Sequence, residues 1–234
     1  MGFIYGLDPL YWLLIGPTMI LALWAQIKVK RNFSKYSKYT TANRLSGAQA
    51  AEAVLHYANI HDVKIEEVGG FLSDHYDPRT RTLRLSPEVF NSSSLSAIGV
   101  ACHEAGHALQ HAEHYAPLSL RSALVPVTQF GSFASYIFFM LGLFLQSFAL
   151  IKLGIFLFTL GVVFAVVTLP VEWNASSRAK ALMTRAGVVS MQEQSMAGAV
   201  LNAAFLTYVA AAFTALMQLL YYLMRFGLLG GRRD

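Results

Sequence analysis

Residues 101–107 read ACHEAGH and contain the pattern His-Glu-x-x-His, formed by His103, Glu104 and His107. This stretch is predicted to be helical, and residues four apart in a helix lie on one face, a single turn from each other. Two imidazoles on that face can occupy neighbouring corners of a zinc tetrahedron. Glu104 lies beside such a metal, where its carboxylate can accept a proton from water that zinc has acidified. The motif therefore predicts a catalytic zinc site, but so short a pattern also arises by chance, and the rest of the chain must support it.

The composition of the 234-residue chain indicates a membrane protein. Hydrophobic residues make up 55% of the chain and charged residues 13%, and the apolar residues occur in long uncharged runs. The net charge of +5 includes a basic cluster directly after the first apolar run, which indicates membrane topology and contact with the lipid bilayer. No nucleic acid is expected as a partner. Cys102 is the single cysteine, which excludes an intrachain disulfide, and we expect it to pack in the core.

Four uncharged segments are long enough to span a bilayer. The first covers residues 9–26 and has basic residues after it instead of before it, which favours a retained anchor over a cleaved signal peptide. Residues 122–151 and 153–171 predict a hairpin of two spans with a turn near 146–152, and residues 195–224 predict a fourth span. The positive-inside rule places the segment after the anchor in the cytoplasm. The side of the C-terminus stays open, because three arginines follow the last span: Arg225, Arg232 and Arg233.

These features predict a multi-pass protein of the cell membrane whose active site faces the cytoplasm. The predicted organisation is an N-terminal transmembrane anchor at 1–27, a cytoplasmic domain at 28–121, a transmembrane hairpin at 122–171, a third-ligand helix at 172–194, and a C-terminal transmembrane helix and tail at 195–234. Within the cytoplasmic domain we expect a helix at 46–59 with the capping-box spacing of Ser46 and Gln49, strands near 63–68 and 82–85, and a motif helix at about 94–113. Gly99 and Gly106 share one face of the motif helix, where a second helix could approach closely.

Glu172 is the candidate for the third zinc ligand. A catalytic zinc usually has three protein ligands and one open position. The predicted hairpin returns Glu172 to the side of the membrane that holds His103 and His107, and Pro170 is expected to end the membrane helix and begin a new one. The alternative is a carboxylate that merely ends a membrane helix in water. Two further histidines, His111 and His114, lack the spacing of a third ligand and are expected outside the ligand set.

The combination of His-Glu-x-x-His, two membrane helices and Glu-x-x-Ala-Ser resembles the glutamate-zincin membrane peptidases, which include the HtpX heat-shock proteases and the prenyl-protein peptidases. Residues 74–78, 85–86, 101–110 and 169–179 carry a closer resemblance to the YugP-like family of membrane zinc metallopeptidases. The resemblance implies an α-helical membrane protein with about four transmembrane helices and a small zincin-like α+β domain. It implies one catalytic Zn²⁺ ion with His103, His107 and Glu172 as ligands and Glu104 as general base. Ser176 stands where HtpX-type enzymes typically have aspartate.

The function expected from these features is hydrolysis of peptide bonds in a peptide or protein substrate, for which a membrane protein is one candidate. The competing function is a catalytically silent zinc-containing membrane scaffold or quality-control adaptor, against which the intact Glu104 argues. A transporter is disfavoured because the predicted spans carry no charge at mid-membrane. The sequence leaves the oligomeric state open.

Two details of the mechanism stay open at this stage. His75, Tyr76 and Arg178 could stabilise the oxyanion by their chemistry, and each could equally serve as a structural hydrogen-bonding group. The strand around residues 83–85 precedes the motif helix. It could be an edge strand to which a substrate peptide adds, or an ordinary internal strand.

Overall fold

The computed structural model of the protein describes residues 8–70 and 73–228. Its helices are α1 (Pro9–Tyr36), α2 (Gly47–Tyr57), α3 (Pro87–Phe90), α4 (Leu95–Ala112), α5 (Ala116–Phe144), α6 (Phe148–Arg185) and α7 (Met191–Arg225), and its strands are β1 (Lys64–Glu67), β2 (His75–Asp77) and β3 (Thr82–Leu85). Four helices in this part of the chain are long and apolar enough to cross a membrane, namely α1, α5, α6 and α7. The predicted four-span helical protein with a small α+β portion is therefore confirmed.

The described residues form two compact units. The span unit comprises residues 8–24, 120–169 and 207–228, and the site unit comprises residues 25–70, 73–119 and 170–206. The boundaries predicted at residues 27, 121, 171 and 194 all fall inside continuous helices. The assignment of particular segments to membrane and cytoplasm stays a prediction. Arg232 and Arg233, which left the side of the C-terminus open, lie outside the described residues.

Within the span unit, side chains at the beginning of α1 and the end of α7 contact each other. The Tyr221 hydroxyl donates a hydrogen bond to Asp8 Oδ2 at 2.9 Å, and Arg225 Nε lies 3.8 Å from the same oxygen. The first residue before α1 and the last residue of α7 therefore lie at one end of this unit, as expected if the chain crosses it four times. The predicted hairpin turn between α5 and α6 is short, with Gln146 in the left-handed conformation at φ 52°.

The core of the site unit surrounds α4. Fully buried side chains of Val54 in α2, Leu85 in β3, Ile98 in α4 and Met183 in α6 belong to one apolar cluster. Burial of an aliphatic side chain of this size contributes roughly 1.5–3 kcal/mol, so this cluster holds α4 in place. Cys102 belongs to the same cluster and is fully buried, which confirms its predicted core position. Burial raises the pKa of its thiol to about 12, so the thiol is inert at neutral pH.

Side-chain caps mark where α2 and α4 begin. The Ser46 hydroxyl accepts a hydrogen bond from the Gln49 backbone N–H at 3.3 Å, and the Gln49 side-chain oxygen accepts one from the Ser46 N–H at 2.9 Å. This is the predicted capping box. The Ser94 hydroxyl likewise accepts from the Ala97 N–H at 3.2 Å and starts α4 where the sequence predicts the motif helix.

The helix break predicted at Pro170 is wrong, because α6 continues through this residue to Arg185. A proline inside a helix costs about 3 kcal/mol, since it removes one hydrogen bond and its ring crowds the preceding turn. Four side chains at four-residue intervals after the proline are fully buried: Val171, Ala175, Ala179 and Met183. This apolar stripe matches the helical period, and its burial outweighs the local cost.

The strand at 82–85 is internal, so its interpretation as an edge strand is wrong. The sheet has the order β1-β3-β2, in which β3 pairs in parallel with β1 and antiparallel with β2. Strand β2 was not predicted, because three residues are too few to display strand alternation. The edge position next to β3 belongs to β2.

Candidate metal centre

Three predicted ligands from two helices meet in the site unit. His103 and His107 lie one turn apart on α4, and Glu172 comes from the middle of α6. One ligand atom from each residue lies within 4.8 Å of the other two. His103 Nε2 is 3.1 Å from Glu172 Oε2, and His107 Nε2 is 3.8 Å from Glu172 Oε1. Within residues 8–70 and 73–228, this is the group of histidine, cysteine and acidic side chains with the spacing of a metal site.

The donor set fits zinc. Ligands placed at roughly 2.0–2.1 Å from a tetrahedral zinc are about 3.3 Å from each other, and the two nitrogen–oxygen distances lie on either side of that value. Two neutral imidazoles and one carboxylate form the ligand set of several catalytic zinc sites. Three ligands leave a fourth position for water or substrate. The side chain of Glu172 is only 2% exposed, and a carboxylate so deeply buried needs a cationic partner.

Glycines on α4 allow the other two helices to approach it. A Cβ atom on Gly106 would lie 2.6 Å from the backbone oxygen of Ala175 in α6, and one on Gly99 would lie 3.3 Å from that of Ala197 in α7. The prediction that these glycines permit close packing is therefore confirmed. Since Ala175 lies less than one turn after Glu172, the contact at Gly106 sets the distance between Glu172 and the two histidines.

Glu104 lies next to the ligand group and is almost fully buried. Among the described residues its carboxylate has no hydrogen-bond partner. Burial raises the pKa of Glu104, the charges of Glu172 and Asp74 raise it further, and the charges of His103 and His75 oppose the shift. A carboxylate with raised proton affinity is better matched to take up and release a proton near neutral pH. Nothing in the hydrogen bonding of the fold explains a carboxylate at this position.

Each histidine contacts a polar side chain through its Nδ1 atom. His103 Nδ1 is 3.1 Å from the Ser176 hydroxyl, and His107 Nδ1 is 3.0 Å from Gln110 Oε1. Such partners orient an imidazole and direct its Nε2 atom toward a metal. Ser176 therefore contacts a candidate ligand although it replaces the aspartate of HtpX-type enzymes.

Gln110 and Asn174 were missed by the sequence reasoning. Gln110 is fully buried, and its Nε2 atom donates to the Val171 carbonyl at 2.8 Å and to Asn174 Oδ1 at 2.9 Å. The available signal was the position of Gln110 three residues after His107, on the same face of the helix. The position of Asn174 could not be inferred before the crossing of α4 and α6 was known.

Each of the three oxyanion candidates makes a hydrogen bond within the protein. Arg178 binds Asn174 Oδ1 through Nε at 2.7 Å and Glu113 Oε2 at 2.7 Å, so it has a structural role. The Tyr76 hydroxyl is 2.8 Å from His111 Nδ1, and burial raises the pKa of Tyr76 to about 12. His75 is exposed, and its charge acts on Glu104. His75 also makes a hydrogen bond, since its Nδ1 atom donates to the Ser73 carbonyl at 2.7 Å, so the contacts do not select one of the three residues. The group of candidate ligands contains neither His111 nor His114.

Comparisons with known proteins identify the family of the chain. The model of a family described as "Putative neutral zinc metallopeptidase" matches residues 11–227. The "Putative membrane protease YugP" of Bacillus subtilis (strain 168) is 48% identical over 214 residues, which cover 92% of this chain and 94% of the relative. No solved structure matches. The chain belongs to this zinc metallopeptidase family, which confirms the YugP-like resemblance. Together with the four apolar helices, the relative indicates a multi-pass membrane protein.

Proposed function

We propose, from the membership of the chain in the zinc metallopeptidase family, that it is a membrane-embedded endopeptidase with one zinc ion held by His103, His107 and Glu172. The observation that supports this most strongly is the set of three ligand atoms within 4.8 Å on two helices. Zinc bound there would supply positive charge that polarises the scissile carbonyl and acidifies the attacking water. The other parts of the reaction are assigned to the protein's own side chains.

Glu104 is the proposed general base. Its carboxylate takes a proton from the attacking water and passes it to the leaving amine as the peptide bond breaks. Three observations support this role: the carboxylate is buried, it has no structural hydrogen bond among the described residues, and its pKa is raised. A structural zinc site has no use for such a group, which disfavours the silent scaffold.

We propose that β2 aligns the substrate. This strand packs against α4, and no strand pairs with its outer edge among the described residues. An extended peptide can add to such an edge through backbone hydrogen bonds, with side-chain pockets giving selectivity. His75, the first residue of β2, acts electrostatically on Glu104, so a peptide bound here would run beside the proposed base.

The proposed location of the site is the cytoplasmic side of the cell membrane. The basic residues that follow the apolar half of α1 support this orientation by the positive-inside rule: Lys28, Lys30, Arg31, Lys35, Lys38 and Arg44. A site in a chain anchored by four apolar helices favours protein substrates that are themselves in or near the bilayer.

The function can be tested with the full chain purified in mild detergent and loaded with zinc. Hydrolysis of fluorescently quenched casein is the readout, beside zinc content. Glu104→Gln should lower the rate about 10²- to 10⁴-fold while zinc stays bound, because only the proton acceptor is removed. Glu52→Gln, at an exposed glutamate of α2, is the matched control and should keep full activity. Full turnover in Glu104→Gln would refute the mechanism, and zinc-loaded wild type without hydrolysis would favour the scaffold.

A further inference from the structure

We propose that Gln110 is a positioning residue that determines which ring nitrogen of His107 carries the proton, and thereby presents the other nitrogen to the metal. The inference rests on the proposed function, because it assigns Gln110 a role in zinc binding. Gln110 is fully buried between α4 and α6, and its side-chain amide contacts three groups. Two of those groups, the Val171 carbonyl and Asn174 Oδ1, determine the orientation of the amide.

The orientation of the Gln110 amide follows from the Val171 carbonyl. That backbone oxygen can only accept a hydrogen bond, and it lies 2.8 Å from Gln110 Nε2. The amide nitrogen must therefore face α6. The amide oxygen then faces the opposite way, toward His107 Nδ1 at 3.0 Å.

The protonation of His107 follows in turn from the orientation of Gln110. An amide oxygen only accepts, so the bond at 3.0 Å requires the proton to be on Nδ1. A neutral imidazole protonated on Nδ1 has its lone pair on Nε2, which is the atom that lies 3.8 Å from Glu172 Oε1. The backbone of α6 therefore determines, through Gln110, that His107 presents a ligand atom to the site.

Asn174 is a further member of the hydrogen-bond network that orients Gln110. Its Oδ1 atom accepts from Gln110 Nε2 at 2.9 Å and from Arg178 Nε at 2.7 Å. The guanidinium of Arg178 can only donate, so the Asn174 oxygen must face both donors. The network is anchored at a group that only accepts, the Val171 carbonyl, and at a group that only donates, Arg178.

His103 offers a contrast within the same site. Its Nδ1 atom faces the Ser176 hydroxyl at 3.1 Å, and a hydroxyl can donate or accept. Ser176 can orient the His103 ring without deciding where its proton lies. At the Nδ1 atoms of the two candidate histidine ligands, the partner of His107 can only accept, whereas the partner of His103 can donate or accept.

The test compares four variants of the full chain in detergent: Gln110→Leu, Asn174→Leu, Asn174→Asp and, as matched control, Gln194→Leu. Gln194 Nε2 also donates to a backbone carbonyl of α6, that of Lys180 at 3.3 Å, and among the described residues its side chain has no hydrogen bond to a histidine. Zinc affinity is measured by competition with a chelator. Long-range ¹H–¹⁵N NMR of the zinc-loaded protein then shows which ring nitrogen of His107 carries the proton, with His107→Ala to identify the signal.

We expect Gln110→Leu to weaken zinc binding by about 10- to 100-fold, as is usual when the partner of a histidine ligand is lost. Asn174→Leu should also weaken zinc binding. Asn174→Asp should stay close to wild type, because its carboxylate accepts from both donors, and Gln194→Leu should have no effect. The NMR signal of the wild type should show the proton on Nδ1 of His107.

Several outcomes would overturn the proposal. Wild-type affinity in Gln110→Leu would do so, as would an equal loss in Gln194→Leu or a His107 proton on Nε2 in the wild type. If Gln110→Leu fails to fold, the two Asn174 variants decide, and equal affinities in Asn174→Leu and Asn174→Asp would count against the network. A wild-type chain that binds no zinc would overturn the proposed function as well, whereas tight wild-type binding unchanged in Gln110→Leu would overturn this inference alone.

Discussion

The threonine hydroxyls of the span unit and the side chains at the candidate metal centre of the site unit form different kinds of hydrogen bond. In the span unit, hydroxyls of Thr18, Thr128, Thr168 and Thr214 donate to a carbonyl three or four residues earlier in their own helix. In the site unit, four hydrogen bonds around the candidate metal centre join α4 to α6, between residues 61 to 73 positions apart in the chain. Local bonds make a helix independent of its neighbours, whereas distant bonds make the site depend on how two helices cross.

The apolar side chains of the two units also differ in how far they are exposed. Phe130 and Phe144 in the span unit are 80% and 84% exposed, as suits side chains that contact lipid. The apolar residues around α4 are fully buried and resemble the core of a soluble domain. Substitutions that probe burial, helix crossing and polar contacts should therefore have their effects in the site unit.

The largest effect on stability is expected for Leu85→Ala, which removes a fully buried side chain from the core around α4. The free energy of unfolding should fall by about 2–5 kcal/mol, measured by chemical denaturation in one detergent. The matched control is Leu13→Ala in the span unit, where the side chain is 71% exposed, and it should change stability by less than about 0.5 kcal/mol. Equal losses in the two variants would contradict the contrast between the units.

Gly106→Ala should destabilise the protein by about 1–3 kcal/mol, because the new methyl group would overlap the Ala175 carbonyl. Zinc affinity should fall as well, since α6 must move and Glu172 moves with it. The control is Gly131→Ala in α5, where no neighbouring atom lies within 4 Å and alanine should be neutral or stabilising by up to about 1 kcal/mol. Unchanged zinc affinity in Gly106→Ala would show that this contact does not set the geometry of the site.

Ser176→Ala should weaken zinc binding about tenfold, or about 1.4 kcal/mol, because His103 loses the partner of its Nδ1 atom. The adjacent Ser177 provides a matched control, since its hydroxyl donates to the Trp173 carbonyl of the same helix at 2.8 Å. Ser177→Ala should leave the affinity unchanged. An equal loss of zinc affinity in Ser176→Ala and Ser177→Ala would contradict the different roles of distant and local hydrogen bonds.

The smallest effect is expected at Asp77, whose bonds are local although it belongs to the site unit. Hydrogen bonds from the Thr80 hydroxyl and the Arg79 backbone N–H, together with Arg84, lower the pKa of Asp77 to about 2. A lowered pKa in the folded state stabilises the fold above the unfolded-state value of about 3.9, and this stabilisation is lost as pH falls through about 2.

Asp77→Asn should therefore cost about 1 kcal/mol at pH 7 after solvent screening, and the difference from wild type should disappear between about pH 4 and pH 2. The measurement is the pH dependence of chemical denaturation. Asp62→Asn is the control, because its carboxylate pairs with Arg81 at the exposed surface and should contribute less than about 0.5 kcal/mol. A difference that persists at pH 2 would contradict this role of the Asp77 charge.

The features predicted correctly from sequence are those that depend on residues close together in the chain. The four apolar helices depend on runs of apolar residues, the start of α2 depends on Ser46 and Gln49, and the grouping of His103 with His107 depends on two histidines four residues apart. Each can be recognised without knowing where any other segment lies. The approach of a second helix to Gly106 was also predictable, because a glycine inside a helix indicates a close neighbour.

The features that sequence reasoning missed depend on distant packing. Helix α6 continues through Pro170 because the stripe that follows the proline is buried against the site unit. Strand β3 is internal because the three-residue β2 covers its other edge. Gln110 contacts His107 and α6 together only once α4 and α6 cross, so its importance could not be derived from its position alone.

The central claim, that two helices of the site unit build a zinc site, is tested most directly by zinc content per polypeptide. The measurement uses the detergent-purified full chain, its His107→Ala and Glu172→Ala variants, and Glu52→Ala as a surface control. We expect about one zinc in the wild type and control, and loss or strong weakening of zinc binding in both site variants. Zinc lost in His107→Ala but retained in Glu172→Ala would contradict the third ligand. A wild type that holds no zinc after reloading would contradict the account as a whole.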